Sequence, residues 1–208
     1  MIRRVTGKTL GRFLAEDVAG PLGVGADIHI GTPAEYDARV SLLVQGAPHD
    51  STGGPFPVDR SLFNPRVTPQ DTWALAWRRA EIGAVNGHAN ARGIATVQSV
   101  LANGGANGVR LMSDAGRERV LERQSDGVDL VMGQPCDWGI GYSLDHAFLG
   151  IPASARTAWW GGNGGSLSFV DLDSRMAIGY VPNRWGGGGY VSMERARAIL
   201  RAVYASAR

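Results

Sequence analysis

Between residues 128 and 181 the chain changes period, and that change constrains its fold more than any other feature. Short runs at 128–132, 138–144, 157–160, 166–171 and 176–181 carry the alternation and β-branched or aromatic content of strands. The segment from Asp171 to Arg175 reads as a turn, making a hairpin of the last two. A final helix follows, capped by Ser192, with Met193, Ala196, Ile199, Leu200 and Val203 directed inward. Strands in succession followed by a terminal helix predict an α+β layout, an antiparallel sheet flanked by helices. The βαβ alternation of a dinucleotide-binding fold is absent, and there is no internal repeat.

The first half reads differently. Thr9 caps a helix with Leu10, Phe13, Leu14 and Val18 on one face, ending near Gly20-Pro21. A short strand is expected within residues 26–32 and an irregular loop over 45–70, where Pro, Gly, Asp and Ser cluster. Residues 90–101 form a helix with Ile94, Val97 and Leu101 buried and Arg92 exposed, and Ser113 caps another through Leu121. We therefore expect one domain over 1–208, with a helix-and-loop part (1–125) and a strand part closed by a helix (126–208). Ile2 and Val5 read as the last turn of a helix closed by Gly7, so the chain reads as starting inside an element.

Composition excludes several classes. With 208 residues, 44% hydrophobic and 19% charged, the chain can bury a core. A net charge of +2 is too small to argue for nucleic acid, and no run approaches the roughly 20 apolar residues of a membrane span. Arginines and a lysine interrupt any signal-peptide core, so a cytoplasmic setting is expected. Cys136 is the only cysteine, which rules out an internal disulfide and suits a small packed residue.

The most unusual stretch is AWWGGNGGSLSFVD, residues 158–171, where two indoles meet a nearly bare backbone. Glycine lets a ligand reach main-chain N–H groups, and a wide aromatic beside it supplies an apolar wall. A tight turn with two core tryptophans would read the same way. Familiar motifs fail elsewhere. Lys8, the only lysine, has no P-loop glycine four residues before the Gly7-Lys8-Thr9 triplet, Leu144 and Leu167 stand where two G-x-G-x-x-G runs need a last glycine, and Asp145 replaces the final glycine of a nucleophile elbow around Ser143. His29, His49, His88 and His146 are scattered, without zinc-ligand spacing, and no cofactor is expected. His146 reads as a surface turn residue rather than a base.

Several stretches together carry a family resemblance: IRRVTGKTLGRFLAEDVAGPLG (2–23), ANARGIATVQSVLANGG (89–105), VRLMSDAGRERVLERQ (109–124), DWGIGYSL (137–144) and WWGGNGGSLSFVDLDSRMAIGYVPNR (159–184). In order and over nearly the whole chain, they resemble the serine β-lactamase-like hydrolases. These include class C β-lactamases, penicillin-binding D-Ala-D-Ala carboxypeptidases and family VIII carboxylesterases. Trp160-Gly161-Gly162 is similar to the esterase version of the third active-site box. The resemblance implies a β-lactamase/transpeptidase-like fold and an acyl-enzyme hydrolase acting on a small-molecule ester. By position, the N–H of Asn163 would be one oxyanion-hole donor, Gly161 and Gly162 would leave room for an acyl group, and Trp160 would form the substrate wall. An indole in place of the Lys or His of the lactamase versions favours neutral esters. We expect residues 160–163 to lie on an inner strand paired with the 166–171 strand and to line the deepest open cleft, with Trp160 projecting toward it and the Asn163 N–H free of sheet bonding.

One departure is decisive for activity. The family's nucleophile and base form Ser-x-x-Lys, but Val5 stands three residues before Lys8, so no such motif exists in the chain. Tyr142-Ser143-Leu144 imitates the tyrosine box, yet its context matches a later strand. The catalytic serine, lysine and tyrosine are expected upstream of Met1, leaving no catalytic residue here; the chain reads as an N-terminally incomplete esterase. A non-catalytic remnant or binding module of the same fold is the alternative, and chemistry at His146 or Cys136 a third.

Overall fold

A computed structural model describes residues 1–46, 67–131, 133–151, 156–162, 164–185 and 193–206. The N-terminal turn α1 (Ile2–Thr6) ends at Gly7 in the left-handed conformation, as its sequence predicts. The Thr9 hydroxyl accepts the Arg12 N–H and caps α2 (Leu10–Phe13). From Leu14 to Ala19 the helix widens to a π-turn that the apolar spacing did not announce, closed by Gly20 N–H on Ala15 O. Then come β1 (Ile28–Ile30), 3₁₀ turns at Ala34–Arg39 and Pro69–Trp73, α3 (Leu75–Arg79) and β2 (Gly87–Ala89), which pairs antiparallel with β1. Most of the expected 45–70 loop lies outside the described residues.

Helix α4 (Ala91–Asn103) begins at Asn90, whose side chain accepts the Gly93 N–H, and ends at left-handed Gly104. Leu101 is buried as expected, whereas Ile94 and Val97 are half-buried; Gly93, Val100 and Ala102 go deepest. The Ser113-capped α5 (Asp114–Val120) follows.

The strand half keeps the expected antiparallel order but moves two boundaries. β3 is Ser125–Val128, not 128–132, because the Asp129 carboxylate takes the Val131 N–H and Gly133, at φ +65°, turns the chain back. β4 (Pro135–Trp138) pairs with β3. The expected 138–144 strand breaks after Trp138: Gly139 N–H bonds Tyr142 O, Gly141 has φ +78°, and Ser143 returns to bridge Trp138 and Trp159. A one-turn helix α6 (His146–Leu149) precedes β5 (Thr157–Gly161), β6 (Leu167–Asp171) and β7 (Met176–Tyr180), which form an antiparallel sheet in that order. The chain closes with α7 (Glu194–Ser206). The proposed Ser192 cap lies outside the described residues.

Period-two alternation sorts the sheet into two faces. Trp159, Phe169 and Ile178 are register partners, and they pack with Leu149, Met193, Ala196 and Leu200 on the α7 side. Ala158, Val170 and Ala177 form the opposite row, against Leu101 of α4 and Val120 of α5. The next row on that side is Trp160, Ser168 and Gly179. Gly179 is required there: a Cβ would stand 2.6 Å from Ala91 O, so α4 lies directly on β7. Ile199, expected inward, is 37% exposed, and Tyr204 takes the inward position, because the burying stripe runs Met193, Ala196, Leu200, Tyr204.

Tyr204 also ties α7 to the β6–β7 turn, its hydroxyl donating to Asp171 Oδ2. Asp171, 1% exposed, accepts further bonds from Asp173 N, Ser174 N and Ser174 Oγ, each at 2.9 Å. Burial pushes this carboxyl up, but the donors outweigh it and hold it below the ordinary value. The ionised form therefore contributes stability that is complete above the unfolded value of about 3.9 and lost as pH falls through the lower folded value. Thermal melts should show the native chain losing stability below about pH 4, and Asp171→Asn should be less stable at neutral pH and flatter in acid. An unchanged acid limb in the variant would contradict this role.

Candidate functional site

Trp160, Gly161 and Gly162 sit at the C-terminal end of β5, where the sheet gives way to a turn. The pairing with β6 is as predicted, Trp160 opposing Ser168 and Gly161 opposing Leu167, but among the described residues β5 is the end strand of its sheet rather than an inner one, with only the Ser143–Trp159 bridge on its other side. Gly162 N–H donates to Ser166 O at 3.0 Å, and Gly165 N–H to Gly162 O at 2.8 Å, closing the β5–β6 connection. Asn163 lies outside the described residues. Gly162 has a steric reason to lack a side chain, since a Cβ would meet Ser166 Oγ at 2.5 Å. Trp159 and Trp160 divide between the faces. Trp159 is a core residue, 3% exposed, with its indole N–H on Asp145 O, and it stacks on Phe148 at 5.4 Å. Trp160 is half-buried on the α4 side, its ring tilted against Trp138 at 5.0 Å. Below it, Ser168 Oγ is buried without a hydrogen-bond partner.

The expectation that this stretch lines the deepest cleft needs correction. Trp160 borders a recess of about 20 Å³, shared with Cys136, Ser143 and Trp159 among others. The Trp138 ring packs against Trp160 beside this recess. A much larger cavity, about 420 Å³, lies elsewhere, between the β2–α4 junction, the Ala34–Arg39 turn and the segment after β7. It opens at the end of the sheet where β5 also ends, since β5 and β7 run the same way on either side of β6. Two strand spacings put Gly161 about 10 Å from Tyr180, the last residue before that segment.

None of the residues weighed as alternative chemistry has the setting for it. Burial pushes the Cys136 thiol up, with Asp129 and Asp145 adding to the effect, opposite to the thiolate a nucleophile needs. His146 is half-buried at the start of α6, not a surface turn residue, because its Nε2 reaches Thr157 O at 3.3 Å. Its neighbour Asp145 spends its carboxylate capping Phe148 N–H, so the two form no acid–base pair. Ser143 is 4% exposed, its hydroxyl accepting Asp145 N–H. Tyr142 donates to Gln98 Oε1, and burial pushes its phenol up, away from the pKa of a base. Among the described residues no three His, Cys, Asp or Glu side chains gather as a metal site would require, and no helix is long and apolar enough to cross a membrane.

A three-stranded antiparallel sheet held between α4 and α7, with a glycine-rich turn after its first strand, is the setting in which the comparisons with known proteins fall. The beta-lactamase family pattern matches residues 1–202, and the chain belongs to that family, with its β-lactamase/transpeptidase-like α+β fold. A family VIII carboxylesterase of known structure is 34% identical with a TM-score of 0.84, over 97% of this chain and 54% of that one. A penicillin-binding protein homolog from Caulobacter crescentus is 33% identical with a TM-score of 0.85, over 98% and 54%. The esterase/beta-lactamase LipL of Mycobacterium tuberculosis is 29% identical over 207 residues, 88% of this chain and 45% of LipL. The chain thus spans about half the length of the relatives it matches.

Proposed function

We propose that residues 160–163 form the oxyanion strand and substrate wall of a serine carboxylesterase that hydrolyses simple esters through an acyl-enzyme. The observation that carries this reading is Trp160-Gly161-Gly162 at the end of β5, followed by a connection in which Gly162 N–H is already bonded to Ser166 O. With Gly162 committed, Asn163 is the next residue in sequence with a main-chain N–H to offer. In the reaction a serine oxygen attacks the ester carbonyl, the carbonyl oxygen gains charge, and the alcohol leaves; water then releases the acid. Donors aimed at the developing oxyanion stabilise both steps. Trp160, neutral and half-buried, offers apolar surface instead of a charge, which suits an uncharged ester.

We place the serine and its base in a segment matching the part of the relatives that this chain does not span, because its 208 residues hold no Ser-x-x-Lys. The chain alone should therefore leave p-nitrophenyl butyrate intact and resist a fluorophosphonate probe. Joined through Met1 to the N-terminal half of the family VIII carboxylesterase, it should hydrolyse that ester. Labelling of any serine of this chain alone would sink the assignment. The same lack of Ser-x-x-Lys favours the second reading, a binding module of this fold. A folded, inactive fusion that still binds ester analogues would support it.

A further inference from the structure

We propose that the 420 Å³ cavity is a binding site for a small carboxylate with an apolar, preferably aromatic, body, with Arg78 as its anchor. The site needs no turnover and stands apart from the role given to residues 160–163.

Arg78, on α3, is only 8% exposed, yet its Nε is buried without a hydrogen-bond partner. Among the described residues its ion-pair partner is Asp37, with Nη1 3.8 Å from Oδ1, too long for a hydrogen bond. Asp37 is already held by Arg79, whose Nη1 donates to Oδ1 at 2.9 Å and whose Nη2 donates to Oδ2. The other carboxylate of this corner is shared in the same way. Asp27, 5% exposed, accepts from Arg92 Nε at 2.9 Å, Asn90 Nδ2 at 2.7 Å and Arg39 Nη2 at 3.3 Å. Among the described residues two carboxylates thus serve four guanidiniums; Arg39 and Arg78 line the cavity, as does Asp27, whose charge is already matched by Arg39 and Arg92. Glu35, the next acid along the Ala34–Arg39 turn, is exposed to solvent. A buried guanidinium is costly unless its charge is matched, and a planar fork of donors matches a carboxylate best. An anion entering the cavity would supply what Asp37 does not.

The walls define the rest of the ligand. Tyr36, Trp73, Trp77, Val85 and Val181 are mostly apolar surface around the charged end. Trp73 is fixed by its indole N–H on Leu43 O at 3.0 Å, and Tyr36 stacks on His29 at 4.5 Å, so the aromatic walls are preformed. A volume of 420 Å³ falls within the range of small-molecule sites. A bare inorganic anion would leave those walls wet; a carboxylate with an aromatic body uses both.

The test is titration of the chain with 4-phenylbutyrate, followed by calorimetry and by the emission of Trp73 and Trp77, against the isosteric neutral 4-phenylbutyramide. The carboxylate should bind saturably, with the amide about tenfold weaker or worse. Arg78→Met should reduce carboxylate binding about tenfold while leaving the amide unchanged. It should melt no lower than the native chain, since it removes a poorly matched buried charge. Equal binding of acid and amide by the native chain, no binding of the acid at about 10 mM, or undiminished binding by Arg78→Met would each overturn the proposal. If Arg78→Met does not fold, the acid–amide comparison on the native chain decides the matter alone.

Discussion

Asn163→Pro, made in a fusion that supplies the N-terminal half of the family VIII carboxylesterase, is expected to lower kcat on p-nitrophenyl butyrate by about 10²–10³, with a smaller change in KM. That is the scale of removing one oxyanion-hole donor, and the loss falls on kcat because the bond is strongest in the transition state. Proline deletes the N–H and leaves the carbonyl. It can also disturb a strand, so the variant must first match the parent fusion by circular dichroism and melting temperature. Asn163→Gly, which keeps the N–H, should retain most of the activity. A folded proline variant with near-full activity would remove Asn163 from the site.

Phe169→Ala should cost about 3–5 kcal/mol of stability, the range for a fully buried phenylalanine. The ring is 0% exposed, lies between its register partners Trp159 and Ile178, and meets Tyr204 edge-on at 6.2 Å. It is the middle of the α7-side face, so a cavity there loosens the contact of sheet and helix together. For a chain of this size the melting temperature should fall by roughly 6–20 °C. Ile199→Ala, on the same helix but facing solvent, should stay within about 0.5 kcal/mol of the native chain. Comparable losses at the two positions would mean that α7 is rotated from the face assigned to it.

The sequence reading succeeded where one physical rule acted alone. Caps at Thr9 and Ser113, the left-handed glycine at 7, and the alternation of β5 to β7 are local signals, and each is where it was expected. The reading failed where two rules competed. Residues 128–132 carry β-forming residues, but the Asp129 side chain and Gly133 won the contest and made a turn. In α7 the apolar pattern admitted Ile199, but a phenol that can both pack and bond Asp171 took the inward stripe. For the candidate site, the sequence order put Trp160 and Gly161 on the strand that pairs with β6, though at the end of the sheet rather than inside it. It could not foresee that Trp138, twenty-two residues earlier, packs on Trp160, or that the larger cavity forms around Arg78. That cavity joins segments distant in sequence, so no spacing announces it; the only local hint is the Arg78-Arg79 pair in an otherwise apolar helix.

The most direct measurement of the central claim is a crystal structure of the fusion after inactivation by a p-nitrophenyl alkylphosphonate, whose tetrahedral phosphorus mimics the acylation intermediate. The account predicts a phosphonyl oxygen about 2.7–3.1 Å from the main-chain nitrogen of Asn163, with the alkyl group against Trp160. A phosphonyl oxygen held by other donors, with the Asn163 N–H bonded inside the β5–β6 connection, would contradict it.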